Sequence, residues 1–320
     1  MTTAATTRYV LRRLGVSVLT LLLATVLVFL ALQALPGDLA TQLLGRDATP
    51  DAVAALREQL GLDRPAWERY LGWLGAAVTG DLGTSLVTGD PVAADLAVHL
   101  RNTLLVAGPA ILVGIPLAVA LGVVAGMYRD RRPDLVISTV CLVGMSVPEF
   151  VVATVLVLVF AIAIPLAPAV VLAGDTAGVG DLAGAIWLPA IALTTVMAAY
   201  IVRMTRAGVI DTLTREFVTT ATLKGVPPGR IVLRHVLPSA LLPTLNVIAV
   251  NLAWLIGGAV VVEAVFNYPG VGTLMLRAVQ NRDLPTLQAV AVLGALAYVL
   301  TNLAADLAAM ALNPRLRSTR

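Results

Sequence analysis

The sequence predicts an all-α membrane protein with six transmembrane helices, on three observations. The 320 residues are 58% hydrophobic and 13% charged, whereas soluble domains carry about 25% charged residues. No soluble core hides that much apolar surface, so lipid is the solvent for most of the chain. Six apolar runs are each long enough to cross a hydrocarbon layer. The basic residues cluster between alternate runs, at Arg8, Arg12 and Arg13, at Arg129, Arg131 and Arg132, from Arg203 to Arg234, and at Arg315, Arg317 and Arg320; together these clusters hold 15 of the 22 Lys and Arg. The positive-inside rule puts them all on one cytoplasmic face, and an even number of spans leaves both termini there. Arg46, Arg57, Arg64, Arg69, Arg101, Arg277 and Arg282 remain for the other face, where acids outnumber them. The charge bias therefore reports topology rather than a nucleic-acid surface.

Residues 1–35 form the N-terminal tail and the first helix. The run from Leu14 to Leu35 has 22 residues, about 33 Å at about 1.5 Å per residue, against a hydrocarbon core of about 30 Å. Arg12 and Arg13 resemble the n-region of a signal peptide. The run is longer than an h-region, however, and Leu32-Gln33-Ala34 is a poor cleavage site, which predicts an uncleaved helix. Residues 36–101 form a long extracytoplasmic loop, acidic on balance. Within it Asp51 to Leu60 reads as a short amphipathic helix, and Trp67, Tyr70 and Trp73 recur at helical spacing. Such aromatics suit either an interfacial helix at headgroup level or local packing of the loop. Residues 102–312 hold five more spans, near Asn102–Met127, Leu135–Ile164, Trp187–Val209, Pro238–Val262 and Pro285–Leu312, and residues 313–320 are a cytoplasmic tail.

Several chemistries are excluded. The two histidines, His99 and His235, fall on opposite faces in this topology, and no HExxH or Cys/His set suggests a metal. Ser146, in Gly144-Met145-Ser146, has no embedded histidine to activate it as a nucleophile. The single Cys141 offers no disulfide or redox pair. The one lysine, Lys224, precedes its glycine and does not sit in a phosphate-binding G-x-x-x-x-G-K-[ST] frame. ATP-driven work, if any, has to come from a partner.

The polar stretch 211–238 interrupts the apolar runs and has to fold on the cytoplasmic surface. Glu216 to Lys224 suits a short helix, Gly225 a left-handed stop, and Pro227-Pro228 prevents continuation before a second turn leads into the fifth span. A helix presented this way suits insertion into a partner's groove, with Phe217 and Leu223 as anchors.

This stretch resembles the EAA loop of ATP-binding-cassette (ABC) importer permeases, written E-A-A-x₃-G-x₉-I-x-L-P. Placing its glycine on Gly225 puts Thr219, Thr220 and Ala221 at the E-A-A positions, His235 at the isoleucine, and Leu237 and Pro238 at the closing L-P. Thr219, Thr220 and His235 depart from the general motif. Thr220-Ala221-Thr222-Leu223-Lys224-Gly225 and Leu233-Arg234-His235 instead follow the dipeptide/oligopeptide/nickel branch. Six further segments are similar to that branch: Leu35-Pro36-Gly37-Asp38, the outer-loop segments Leu56–Pro65 and Gly80–Ser85, Ser146-Val147-Pro148-Glu149-Phe150, Val262–Phe266 with Pro269, Gly270 and Gly272, and Asn313-Pro314-Arg315. The long outer loop resembles the first, B-type, of two permease subunits.

The resemblance implies a type I ABC importer (MetI-like) permease fold and a non-catalytic half-channel. Its expected partners are a second homologous permease, two ATPases or one fused ATPase, and an extracytoplasmic substrate-binding protein. The chain itself is expected to bind no cofactor, with ATP and Mg²⁺ held in the ATPases. Coupling is assigned to Glu216, Phe217, Thr219, Thr220, Ala221, Leu223, Lys224, Gly225, His235, Leu237 and Pro238. The expected cargo is a di- or oligopeptide, with nickel, glutathione or oligosaccharide as alternatives within the same fold.

Four sets of polar residues complete the candidates. Glu149, after Pro148 about halfway along the third span, costs roughly 2.5 kcal/mol or more to insert. It is expected either to line the pathway, meeting a peptide amino group or a cation, or to bond a neighbouring helix. Pro148 is a candidate hinge or polar lining. Asn246 and Asn251 either line the path or bond helix to helix, and Asp306 is expected to pair with Arg315 or Arg317. Asp81 and Glu263 are candidates for docking the binding protein, and Gly257-Gly258 for close helix packing. A secondary transporter is disfavoured because two embedded acids and no visible repeat do not supply its coupling sites. The missing catalytic set argues against a membrane enzyme, and the coupling loop with the outer loop argues against an exporter.

Overall fold

A computed structural model describes residues 3–34, 39–44, 48–172, 178–257 and 259–312. Leu35-Pro36-Gly37-Asp38, Gly258 and Asn313-Pro314-Arg315, with Arg317, lie outside the described residues. Within those residues the regular elements are all helical, and Thr84 and Pro91 form an isolated antiparallel bridge. Five helical runs are long and apolar enough to cross a membrane, and a bent pair makes up to six.

Helix α1 (Thr3–Gln33) is the first span and packs mainly against the last helix. Its Arg13 meets Asp306 at 3.1 Å, which places the start of the first span beside the end of the last. Asp306 therefore has a partner on a distant helix, and the pairing expected with Arg315 or Arg317 falls on residues outside the described ones. The outer loop contributes α2 (Leu39–Leu44), α3 (Pro50–Gln59) and α4 (Ala66–Val78). Thr49 caps α3 by accepting a bond from the Ala52 N–H. On α4, the Tyr70 hydroxyl lies 2.9 Å from Thr25 Oγ1 and its ring meets Phe29 edge-on, while Arg69 donates to Gln33 at 2.6 Å. This aromatic spacing thus clasps α4 to the far end of α1 and leaves Trp67 facing outward.

Helix α5 (Val92–Met127) begins well before Asn102, where the span was expected. Helices α6 (Arg132–Ser146) and α7 (Glu149–Ala163) replace the single run expected from Leu135 to Ile164 and are bent by 101°. Proline dictates the break, because it supplies no N–H and forces the residue before it to extend; Val147 has ψ 125 and Pro148 ψ 144. The short α8 (Val179–Leu182) precedes α9 (Trp187–Leu213). Then come α10 (Glu216–Leu223), α11 (Pro228–Ile231), α12 (Leu237–Ile256), α13 (Val260–Val265), α14 (Val271–Asn281) and α15 (Leu284–Leu312).

Three π turns, Ala110–Gly114, Leu158–Ala163 and Val232–Val236, each end two residues before a proline, namely Pro116, Pro165 and Pro238. A proline ring clashes with the carbonyl four residues back, and widening the preceding turn moves that carbonyl aside; the helix then continues through Pro116 and Pro238, whereas α7 ends before Pro165. The hydrophobic core lies around α9, which packs on α5, α6, α7 and α12. Glycine permits the closest seam. A Cβ on Gly122 would lie 2.6 Å from Thr205 Cβ, and one on Gly126 would lie 2.7 Å from Val209 Cβ, so α5 and α9 touch with no space to spare.

Candidate functional site

The connection from α9 to α12 forms one face of the molecule. Arg215 is extended (ψ 146) and starts α10, with the Glu216 carboxylate in the first turn, where the helix dipole favours it. Gly225, at φ +74, ends the helix; its N–H donates to Thr222 O at 2.9 Å, and Val226 N donates to Ala221 O at 3.2 Å. A left-handed residue closing the last carbonyls is the helix stop expected from the sequence.

One side of this connection is a packed base. Val218 is buried with Val209, Ile231, Val236 and Ala240, and Ala221, Val226, Leu213 and Val123 pack around them. At Gly208 a Cβ would lie 2.5 Å from Ala240 O, so α9 and α12 meet backbone to backbone there. The other side is open: Glu216, Phe217, Thr219, Thr220, Leu223, Lys224 and His235 are exposed, whereas Leu237 and Pro238 are half-buried. Leu223 is 84% exposed and Phe217 39%. Leu233, 69% exposed, joins them and was not among the residues singled out by sequence. Thr220 and Thr222 donate their hydroxyls to Glu216 O and Val218 O within the same helix, both at 2.9 Å. The result is a rigid helix with exposed apolar side chains, able to anchor in a partner but carrying no reactive group.

Beside this base lies a pair that sequence reasoning missed. Asp134, in the first turn of α6, is 1% exposed. Its Oδ1 accepts from Arg206 Nε at 2.5 Å and from Ser138 Oγ at 2.9 Å, while Oδ2 accepts from Arg206 Nη2 at 2.7 Å and from Asp130 N at 2.8 Å. Arg206 is on α9, so the fork joins two helices. The available signal was an arginine inside the fourth apolar run, which needs a partner for its charge.

At the α6–α7 break, Pro148 is exposed, and Glu149 begins α7 half-buried. The Glu149 carboxylate makes no hydrogen bond or ion pair to another described residue, so the helix-to-helix bond expected as an alternative is not present among them. Asn251 donates to Val247 O of its own helix at 2.8 Å rather than across helices, and Asn246 is exposed.

On the opposite face a cluster of buried polar groups is closed on itself. Glu263, expected to meet a binding protein, is 3% exposed, and this docking role is corrected by its bonds. Its Oε1 accepts from Thr103 Oγ1 at 2.8 Å, and its Oε2 accepts from the N–H groups of Gly272 at 2.7 Å and Thr273 at 3.1 Å, at the start of α14. A carboxylate on two free helix N–H groups is a charge-assisted cap. Val271 N donates to Thr103 Oγ1, Asn102 Nδ2 to Pro269 O, and the Tyr268 hydroxyl to Asn102 O, each at 2.8 Å. Burial, and then the charge of Glu263, push the Tyr268 phenol above its ordinary pKa. A second clasp is Asp283, which accepts from Ser85 Oγ at 2.6 Å, Thr286 Oγ1 at 2.7 Å and Leu86 N at 3.1 Å. Asp81 is exposed and accepts from Gly83 N at 2.9 Å.

Residues 118–318 match the family described as binding-protein-dependent transport system inner membrane component, and residues 6–113 match that described as its N-terminal membrane component domain. Among similar proteins are the glutathione transport system permease proteins GsiC of Escherichia coli strain K12, of Escherichia coli O6:H1 strain CFT073 and of Shigella dysenteriae serotype 1 strain Sd197. Each is 35% identical over 309 residues, covering 97% of this chain and 98% of the relative.

Proposed function

This chain belongs to the family of binding-protein-dependent transport system inner membrane components, non-catalytic permeases of ABC importers, and on that premise we propose that it is one of two permease subunits forming a pathway for di- or oligopeptides. The second permease is a homologue, two ATPases or one fused ATPase sit at the α10 face, and the substrate-binding protein sits at the other. ATP and Mg²⁺ belong to the ATPases, and this chain binds no cofactor. Both termini and α10 face the cytoplasm, in keeping with the distribution of basic residues.

The observation that carries this reading is α10, whose apolar Leu223 and Phe217 stand exposed on a base too tightly packed to yield. A helix so mounted passes a push to the spans beneath it. In the importer reconstituted with its partners, Gly225→Pro and Ala221→Asp are expected to leave insertion intact while uncoupling ATP hydrolysis from uptake. Undiminished uptake at normal expression sinks the assignment.

On the pathway we place Glu149, with Pro148 beside it and Asn246 and Asn251 as polar lining. A carboxylate bearing no bond to another described residue suits a peptide's amino group. Glu149→Gln is expected to raise KM for a labelled dipeptide, and unchanged uptake kinetics remove that role. A second cargo, glutathione, is favoured by the relatives named for its transport. Competition between labelled dipeptide and glutathione for uptake separates the two.

A further inference from the structure

We propose that the Asp134–Arg206 fork is the tie through which movement of α10 reaches the break at Pro148, making both side chains positioning residues for transport. The proposal rests on the reading of α10 as the coupling helix.

The end of α9, the start of α12, α10 and Val123 of α5 form one packed base. The contacts at Gly126 and Gly208 leave no room for these parts to slide past one another, and packed interiors shift as bodies rather than deform. Helix α6 is not part of that apolar base. Of its residues Arg132–Ser146, Asp134 alone is fully buried, so its fully buried hold at this end is polar.

Polarity changes what the hold transmits. An apolar contact that is not so close lets two helices slide, but a planar guanidinium bonded through two nitrogens to both carboxylate oxygens resists sliding and rotation together. The same carboxylate grips the Asp130 N–H, in a turn residue at φ +60, and Ser138 one turn further along α6. Displacing Arg206 therefore carries the α5–α6 turn and the start of α6 as a unit. The 15 residues of α6 span about 22 Å, and at the far end the helix stops at Val147-Pro148, with Glu149 opening α7 at 101° to it. A bend held by no continuous helix is where a displaced rod changes its angle.

The test uses the complete transporter in lipid, with partner cysteines replaced, and ATP plus vanadate as the probe. Cys141, the one cysteine of the chain, carries a spin label on α6. A second preparation carries Cys141→Ser with Thr214→Cys, reporting on the base where α9 meets α10. In the otherwise unchanged protein both labels are expected to respond to ATP. Asp134→Asn keeps shape and one acceptor oxygen, enough for the Asp130 N–H or the Ser138 hydroxyl but not for both, and Arg206→Lys keeps charge but loses the fork. In both variants the Thr214 label is expected to respond still, the Cys141 response to be lost, and assembly and ATP hydrolysis to persist while uptake stops. A full Cys141 response in both variants overturns the tie. Loss of assembly in both overturns it too, in favour of a purely structural bond. An unresponsive Thr214 label in the unchanged protein strikes instead at the coupling role of α10, and removes the premise.

Discussion

The two faces of this molecule treat their polar and apolar groups in opposite ways. On the face away from α10, Glu263 and Asp283 are buried and their oxygens accept bonds from residues up to 198 positions away. On the α10 face the side-chain bonds of α10 stay local, and Leu223, Phe217 and Leu233 are left in the open. The first pattern makes a part that holds its shape alone, because a satisfied buried carboxylate allows few rearrangements. The second leaves apolar surface uncovered, of the kind that marks interaction sites. A permease driven from outside its own chain needs both, a closed scaffold and an unfinished edge.

If that contrast holds, the largest loss of stability lies at the scaffold. Glu263→Ala leaves the N–H groups of Gly272 and Thr273 and the Thr103 hydroxyl without their acceptor. Each orphaned buried donor costs about 1–3 kcal/mol, so several kcal/mol of loss is expected. Glu263→Gln, which retains an acceptor oxygen, is expected to lose less. Thermal unfolding in detergent measures both, and a Glu263→Ala protein as stable as its parent ends the idea of a self-contained scaffold.

The same contrast explains what was readable in the sequence. Spans follow from apolar length, and α10 with its Gly225 stop follows from signals within ten residues of one another, so both were legible. Pro148 was legible as a candidate hinge within one span, but not as a break bent by 101°, which depends on how α7 packs against α9 and α13. Long-range partners were the blind spot. Glu263 was noticed as an acid near a membrane boundary, yet its burial depends on Thr103, 160 positions earlier. Asp134 and Arg206 are 72 apart. Asp306 meets Arg13, 293 positions earlier, a partner that sequence proximity did not suggest. A charge in a span announces that it has a partner but not which one.

At the unfinished edge the ranking of effects reverses. Leu223→Ser touches an exposed side chain, and such changes move stability by no more than about 0.5 kcal/mol. Truncating a hot-spot anchor at an interface costs about 2 kcal/mol or more, and about 1.4 kcal/mol is already a factor of ten in affinity. The variant is therefore expected to melt like its parent and to hold the ATPases at least about tenfold more weakly, as measured by co-purification at graded concentrations. A variant that melts early but keeps its ATPases inverts the contrast.

The smallest effect is expected at Asp81, one of several exposed charges on the face away from α10. Its carboxylate accepts the Gly83 N–H at 2.9 Å, which fixes the turn but leaves the group in water. Asn offers the same acceptor oxygen, so Asp81→Asn keeps the turn and removes the charge alone. Rim charges act on encounter more than on the bound state. The binding protein is therefore expected to associate a few-fold more slowly at low salt, with unchanged dissociation. The difference is expected to vanish near 0.15 M salt, where screening acts within about 8 Å. Surface plasmon resonance across a salt series reads this directly. A change in dissociation that persists at high salt instead places Asp81 inside the docked interface, and makes this face less finished than its buried carboxylates suggest.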